Sequence, residues 1–337
     1  MRKFKNILIT GGLGFIGVNF CNYLLKNCNY KLINVDRVTY ASNSSKMHAT
    51  NKNYKFHKID IADKKKINKL FLNYDIDAII HFAAETHVDN SIIHSDKFIK
   101  SNIIGTHNLL EASLKFCKIR NKKNFVFLHI STDEVFGHLK KNEKSFTEKS
   151  AYQPRNPYSA SKASADHLVK SFYSTYKFPA IVVNCCNNFG PFQNKEKLIP
   201  KIINNIIKKK KIPIYGKGKQ IREWIFVEDF VNAIFKILKK GKIGESYNIG
   251  SGKELENIHL ANLICKIIKE KKKLEHDPKK LISFVKDRSG HDFRYSINSS
   301  KVKKELRWVS KTSFKKGIEK TIEHYLHEDD SIKNKKN

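Results

Sequence analysis

Apolar residues fall in short runs separated by stretches of helical spacing. The runs NILIT (6–10), KLINVD (31–36), AIIHFAA (78–84) and FVFLHI (125–130) are each bounded by polar or turn residues, and AIVVNCCNNF (180–189) adds another. Helical patterns through Gly17–Lys26, Lys64–Leu72 and Ile99–Phe116 lie between the first four. Short, continuously apolar runs predict strands buried on both faces, and their alternation with helices predicts βαβ units on a parallel sheet. After residue 189 the rhythm breaks. Loops, a basic helix over Ile199–Lys211 and a helix over 257–270 predict a smaller second unit. The last stretch, HEDDSIKNKKN from His327, has no periodic apolar content and predicts a disordered tail over 327–337.

Composition narrows the class. With 337 residues, 40% hydrophobic and 29% charged, the chain can bury a substantial globular core. No apolar run approaches the roughly 18 residues of a membrane span, so no membrane partner is expected. The opening MRKFKNILITGGLGF has an apolar stretch too short for a signal peptide and predicts a strand. The cysteines (Cys21, Cys28, Cys117, Cys185, Cys186, Cys265) form no CxxC pair, which argues against a zinc site or a disulfide framework. Metal ligands are therefore expected to be none, and reduced thiols suit the cytoplasm. The net charge of +33 would ordinarily point to nucleic acid. Only eight of the 65 basic residues are Arg, however, and the Lys residues are spread along the whole chain. The runs KKKK (208–211) and KKK (271–273) sit on amphipathic stretches and predict solvated faces, so nucleic acid is not an expected partner.

Three motifs carry chemistry. GGLGFIG places Gly11, Gly14 and Gly17, with Phe15 and Ile16, between the first strand and first helix. Such spacing makes a tight turn, lets backbone approach a pyrophosphate and sets the phosphates at a helix N-terminus. Asp36 ends the second strand about twenty residues on, where a carboxylate meets ribose hydroxyls, so NAD is the expected cofactor on a Rossmann-type sheet. Arg37 beside it could also accept the ribose phosphate of NADP; the acid favours NAD. In YSASK, Tyr158 and Lys162 are four apart and share a helix face, where Lys⁺ would lower the phenol's pKa and make a base. The third motif, STDEVFG (131–137), puts Asp133 and Glu134 side by side where a buried strand ends. Taken alone, that pair reads more readily as a solvated turn than as a site.

The ordered set resembles the extended short-chain dehydrogenase/reductases, and within them the dTDP-glucose 4,6-dehydratases, from about residue 5 to 326. It comprises GGLGFIG, HFAAETHVDNSI (81–92), STDEVFG, NPYSASKA (156–163), NCCNNFGPFQNKEKLIP (184–200), PIYGKGKQIREWIFVEDF (213–230), YNIGSG (247–252) and DRSGHDFRY (287–295). The resemblance implies a catalytic set of Thr132, Asp133, Glu134, Tyr158 and Lys162. Glu134 would be the base at carbon 5, Asp133 the acid at the carbon 6 hydroxyl, and Thr132 the partner of the carbon 4 oxygen. It also implies cofactor contacts from Asp60, Ile61, Ala83, Ala84, Thr86 and Ser101. Nucleotide-sugar contacts would come from Thr86, Thr132, Asn188, Lys197, Leu198, Pro213, Tyr215, Arg222, Asn257, Arg288 and His291. Arg222, Arg288 and Lys197 suit a diphosphate, and Tyr215 a stacked base.

Cys186, Ser289 and Phe293 stand where the family commonly has Ser, Pro and Arg, and the last two fall in the phosphate-binding stretch. The resemblance implies an α/β fold with an NAD-binding Rossmann domain (1–188 and 219–243) and a smaller C-terminal substrate domain (189–218 and 244–326). It further implies a homodimer, through the helices over Ile99–Phe116 and Ser159–Tyr176. dTDP-glucose is the favoured substrate and UDP-glucose the alternative. A UDP-sugar 4-epimerase or UDP-glucuronate decarboxylase is a further alternative on the same fold.

Overall fold

The computed structural model describes residues 1–43 and 50–334, with side chains through residue 329. The first half alternates as its apolar runs require: β1 (Asn6–Thr10), α1 (Phe15–Asn27), β2 (Lys31–Asp36), β3 (Tyr54–Lys58), α2 (Lys64–Asn73) and β4 (Ala78–His81). Two short helices follow, α3 (Val88–Ile93) and α4 (Ser95–Phe98). A π-helical stretch (Ile99–Ile104) then leads into α5 (Gly105–Ile119), β5 (Val126–Ile130), a 3-10 turn (Asp133–Phe136), α6 (Pro157–Tyr176) and β6 (Ala180–Cys185). The remainder is β7 (Asn187–Phe189), α7 (Leu198–Ile207), β8 (Ile212–Tyr215), β9 (Ile221–Phe226), α8 (Val227–Lys240), β10 (Ser246–Ile249) and β11 (Glu254–Glu256). It closes with α9 (Asn257–Lys272), β12 (Ile282–Val285), α10 (Ser300–Leu306) and α11 (Phe314–Asn334).

Seven strands form one parallel sheet in the order β3-β2-β1-β4-β5-β6-β10. Successive residues of a strand face opposite sides, and both sides are covered. Ile7 and Ile9 pack with Phe20 and Leu24 of α1 and Ile234 of α8, while Leu8 between them packs with Ile67 of α2 and Leu109 of α5. The chain reverses its direction of winding between β1 and β4, the place where such sheets open a crevice at the carboxyl ends of their strands.

A second core gathers Ile203 of α7, Ile264 of α9 and Ile318 of α11 beside two small sheets, β11-β9-β7 and β12-β8. These pairings differ from the expected division at three places. β10, expected in the substrate unit, is the seventh strand of the large sheet, with Ser246 opposite Val182. β9, expected with the Rossmann unit, pairs instead with β7 and β11. Val302 and Leu306 of α10 also pack on the large sheet's core. The expected tail is another correction, because α11 continues through Asn334. Buried Ile318, Ile322 and Tyr325 anchor that helix, and once it is nucleated each added polar residue gains its backbone hydrogen bond at little cost. Residues 335–337 lie outside the described residues. The helix expected to Lys211 stops at Ile207, where Lys209 turns left-handed at φ 52°. Among the described residues, no helix is long and apolar enough to cross a membrane, and no cluster suits a metal ion.

Candidate active site

A cavity of about 320 Å³ opens at the carboxyl ends of β1, β4, β5 and β6. Its walls include every cofactor residue expected from the sequence: Gly11, Gly14, Phe15, Ile16, Gly17, Asp36, Asp60, Ile61, Ala83, Ala84, Thr86, Ser101, Tyr158 and Lys162. Gly11 has φ +72°, and a Cβ there would sit 2.6 Å from the backbone nitrogen of Ala83. A Cβ on Gly17 would collide with the Gly11 carbonyl. Gly14 caps α1 with no side chain, so the first-turn N–H groups remain available to a pyrophosphate. Asp36 is fixed by the backbone N–H groups of Val38 (2.8 Å) and Leu13 (3.1 Å). Arg37 pairs with Asp60 and Glu85, two carboxylates that hold it away from a ribose phosphate. The cradle and its acidic far end fit NAD.

The opposite end of the cavity is the turn that follows β5. Thr132 caps the 3-10 turn: its hydroxyl accepts the Glu134 N–H (3.3 Å) and donates to Asp133 Oδ1 (3.2 Å). Asp133 is 2% exposed and its Oδ2 has no partner. Burial, reinforced by the charges of Glu134 and Glu223, raises its pKa well above the usual carboxylate range. Glu134, half-buried, is also raised by burial, but Arg222 and Lys197 pull it back toward the ionised form. Two adjacent carboxyls are thus driven apart in proton affinity.

Lys162 Nζ donates to the Ile130 carbonyl at 2.8 Å, and its own pKa is lowered by burial. Tyr158 departs from expectation. Burial, and then Glu134, push its phenol well above the ordinary tyrosine value rather than toward neutrality. The sequence displayed the Lys but not the desolvation that opposes it.

The expected substrate residues divide into two groups. Asn188 and Lys197 join Thr86 and Thr132 in the cavity wall, with Lys197 Nζ on the Thr86 carbonyl (2.9 Å). Leu198, Pro213, Tyr215, Arg222, Asn257, Arg288 and His291 are not in that wall. Three of these cluster beside it. Arg288 pairs with Asp89 at 2.7 Å and lies over the Tyr215 ring, Tyr215 donates to Asp89 at 3.3 Å, and His291 stands edge-on to Tyr215. Arg222 is placed differently from expectation. Its guanidinium donates to the carbonyls of Ile221, Asp292 and Phe293 and stacks on Tyr295, where it acts as a buried cation for the acid pair. Leu198 opens α7, Pro213 sits on β8 opposite Ser283, and Asn257 opens α9 with its N–H on the Gln220 carbonyl (3.0 Å).

Comparison with known proteins settles the family. The family model described as GDP-mannose 4,6 dehydratase matches residues 8–321. The dTDP-glucose 4,6-dehydratase of Haemophilus influenzae is 44% identical over 330 residues, covering 95% of this chain and 98% of that protein. This chain belongs to the dTDP-glucose 4,6-dehydratase family. The dTDP-glucose 4,6-dehydratase 1 of Escherichia coli K12 is also 44% identical, over 95% of this chain and 92% of that one. Among solved structures, the dTDP-glucose 4,6-dehydratase of Bacillus anthracis in complex with NAD superposes with a TM-score of 0.85 at 38% identity, covering 97% and 98% of the two chains. A UDP-glucose 4-epimerase from Thermotoga maritima gives the same TM-score at 26% identity over 96% and 99%. Backbone shape therefore does not separate dehydratase from epimerase.

Within this dehydratase, several site residues escaped the sequence reading: Glu85 on Arg37, Asp89 on Arg288, and Tyr295 and Asp292 behind Glu134. All lie inside the recognised strings HFAAETHVDNSI and DRSGHDFRY. Their partners, however, come from distant segments, which the strings do not reveal.

Proposed function

We propose that this dehydratase converts dTDP-glucose to its 4-keto-6-deoxy sugar with NAD. The observation that carries the proposal is the acid pair at the cavity: Asp133, fully buried with Oδ2 unpartnered, next to a half-buried Glu134 on which Arg222 and Lys197 pull. Bound NAD supplies the acceptor for the hydride from carbon 4 and its return to carbon 6. Tyr158 takes the carbon 4 hydroxyl proton while Thr132 holds that oxygen; Lys162, one helical turn on, would offset the burial that keeps the phenol neutral, as would the positive charge of NAD⁺ when bound. The new ketone acidifies the carbon 5 hydrogen, which Glu134 removes. Asp133 protonates the carbon 6 hydroxyl, and water leaves. Two carboxyls of unequal pKa are what this elimination needs, and an epimerase, which loses no water, has no use for them.

The position of Lys197 in the cavity wall supports a phosphate contact there, and Arg288, paired with Asp89, and Tyr215 beside it support contacts to the nucleotide. Incubation with dTDP-glucose and NAD should release a product one water lighter. No product from dTDP-, UDP- or CDP-glucose would refute the proposal. A kinetic comparison of dTDP- with UDP-glucose tests the base, since a thymine methyl contact is worth about 1–3 kcal/mol.

We further infer a homodimer. Ile99, Ile104 and Tyr176, on the helical segments expected at its interface, remain about half exposed in the single chain. Light scattering of a monomer at micromolar concentration would overturn this. Six unpaired cysteines accord with a cytoplasmic location.

A further inference from the structure

Glu134 has a route of polar contacts to solvent through Tyr295, Asp292 and His138, and neither Tyr295, Asp292 nor His138 lines the cavity. The Tyr295 hydroxyl lies 3.4 Å from Glu134 Oε2 and donates to Asp292 Oδ2 at 2.5 Å. Asp292 is 1% exposed; its Oδ1, buried without a hydrogen bond, faces Arg155 Nη1 (3.1 Å) and His138 Nδ1 (3.5 Å). Arg155 and His138 touch each other and are 43% and 40% exposed. The chain therefore runs from a half-buried carboxylate, through two buried groups, to an exposed imidazole.

The polarity of the chain is informative. The one Tyr295 hydroxyl proton is within reach of two carboxylates, Asp292 at 2.5 Å and Glu134 at 3.4 Å; with the proton on the shorter contact, the Tyr295 oxygen can accept from Glu134 once Glu134 is protonated. That is the wrong arrangement for tightly holding an empty carboxylate and the right one for receiving a proton from a filled carboxyl. Burial of the phenol, with the charges of Glu134 and Asp292, keeps Tyr295 a neutral carrier against the opposing pull of Arg222 over its ring.

We propose that Tyr295, Asp292 and His138 form a proton relay that exchanges the hydrogen taken from carbon 5 with solvent while the sugar covers the cavity mouth. The inference rests on Glu134 being the carbon 5 base. Protonated Glu134 donates to the Tyr295 oxygen as the Tyr295 proton passes to Asp292. The Asp292 carboxyl turns and hands a proton to His138, which releases it to water. Glu134 and Asp292 end as carboxylates, Tyr295 as a phenol and His138 as a neutral imidazole, and nothing is oxidised or reduced. The reverse passage brings a solvent proton to carbon 5. All three groups act through Glu134, and none of them lines the cavity.

The test follows the hydrogen rather than the rate. Full-length protein with NAD and unlabelled dTDP-glucose is run in deuterium oxide to low conversion, and deuterium at carbon 5 of the product is measured by mass spectrometry and NMR. The wild type should carry solvent deuterium there. Tyr295→Phe should return the substrate's own hydrogen, raising the retained fraction several-fold, and Asp292→Asn should do the same. Should Tyr295→Phe fold poorly, exposed His138→Gln carries the test: retained hydrogen should rise and fall again with added imidazole. Product labelling in the folded variants equal to wild type, or a wild type that retains its hydrogen, overturns the relay. Absence of any dehydrated product from the wild type would instead refute the parent activity, so the two failures are distinct.

Discussion

The Thr132 hydroxyl donates to Asp133 Oδ1 at 3.2 Å and leaves Oδ2 buried without a partner. A carboxyl so placed keeps a proton to give. Asp133→Asn removes that proton donor while preserving shape, so dehydration should slow by about 10²–10⁴-fold. Oxidation at carbon 4 and removal of the carbon 5 hydrogen should survive. Glu134→Gln should do the opposite to carbon 5: substrate addition should give persistent reduced-cofactor absorbance and no exchange of that hydrogen. Stopped-flow absorbance with NMR of recovered substrate distinguishes the two, and exchange in Glu134→Gln without exchange in Asp133→Asn would reverse the roles.

The same burial predicts a stability effect with a definite sign. Asp133 binds its proton more tightly folded than unfolded, so the unfolded state releases it first as pH rises. Native stability should fall from about pH 4 upward on account of this residue. Asp133→Asn lifts that penalty. Its melting temperature should exceed that of the wild type near neutrality and converge with it below pH 4, by calorimetry across pH. A variant less stable at pH 7 than the wild type would contradict the assignment.

Arg37 predicts cofactor selectivity. Held by Asp60 and Glu85, it offers no free cation to a ribose phosphate. Neutralising both acids, Asp60→Asn with Glu85→Gln, should release it and tighten NADP binding about tenfold, the value of one charge-assisted hydrogen bond of roughly 1.5 kcal/mol. Titration of cofactor binding by calorimetry checks this without any turnover. Unchanged NADP affinity would exclude Arg37 from the choice.

Glu223, fully buried, accepts the N–H groups of Gly252 (2.7 Å) and Ile297 (3.0 Å). Glu223→Ala leaves two buried donors unmet, a loss of about 2–6 kcal/mol at roughly 1–3 each. Glu223→Gln keeps one acceptor and should lose less than half of that. Urea unfolding measures both.

How much was legible follows from where each signal resides. β1, β2, β4, β5 and β6 announce themselves because strands covered on both faces must be apolar throughout. β3, YKFHK at the sheet's end, is only partly covered and carries no such mark. The glycines, Asp36, Tyr158 with Lys162, and Asp133 with Glu134 were readable because their chemistry depends on close spacing along the chain. Tyr295 reaches Glu134 across 161 positions, and no local pattern encodes that approach. The direction of the Tyr158 shift was missed for a related reason: burial belongs to the folded neighbourhood, not to the motif.

The seventh strand has a bearing on how this chain can be cut. Ser246–Ile249 closes β6, whose Val182 and Val183 are otherwise a bare, apolar edge of backbone donors and acceptors. A fragment ending at residue 243, the border the sequence proposed, would carry the whole glycine cradle and yet expose that edge to other copies of itself. Such edges template aggregation. The cofactor half should therefore precipitate when expressed up to residue 243, and a shortened cofactor-binding protein would have to retain the sequence through Ile249.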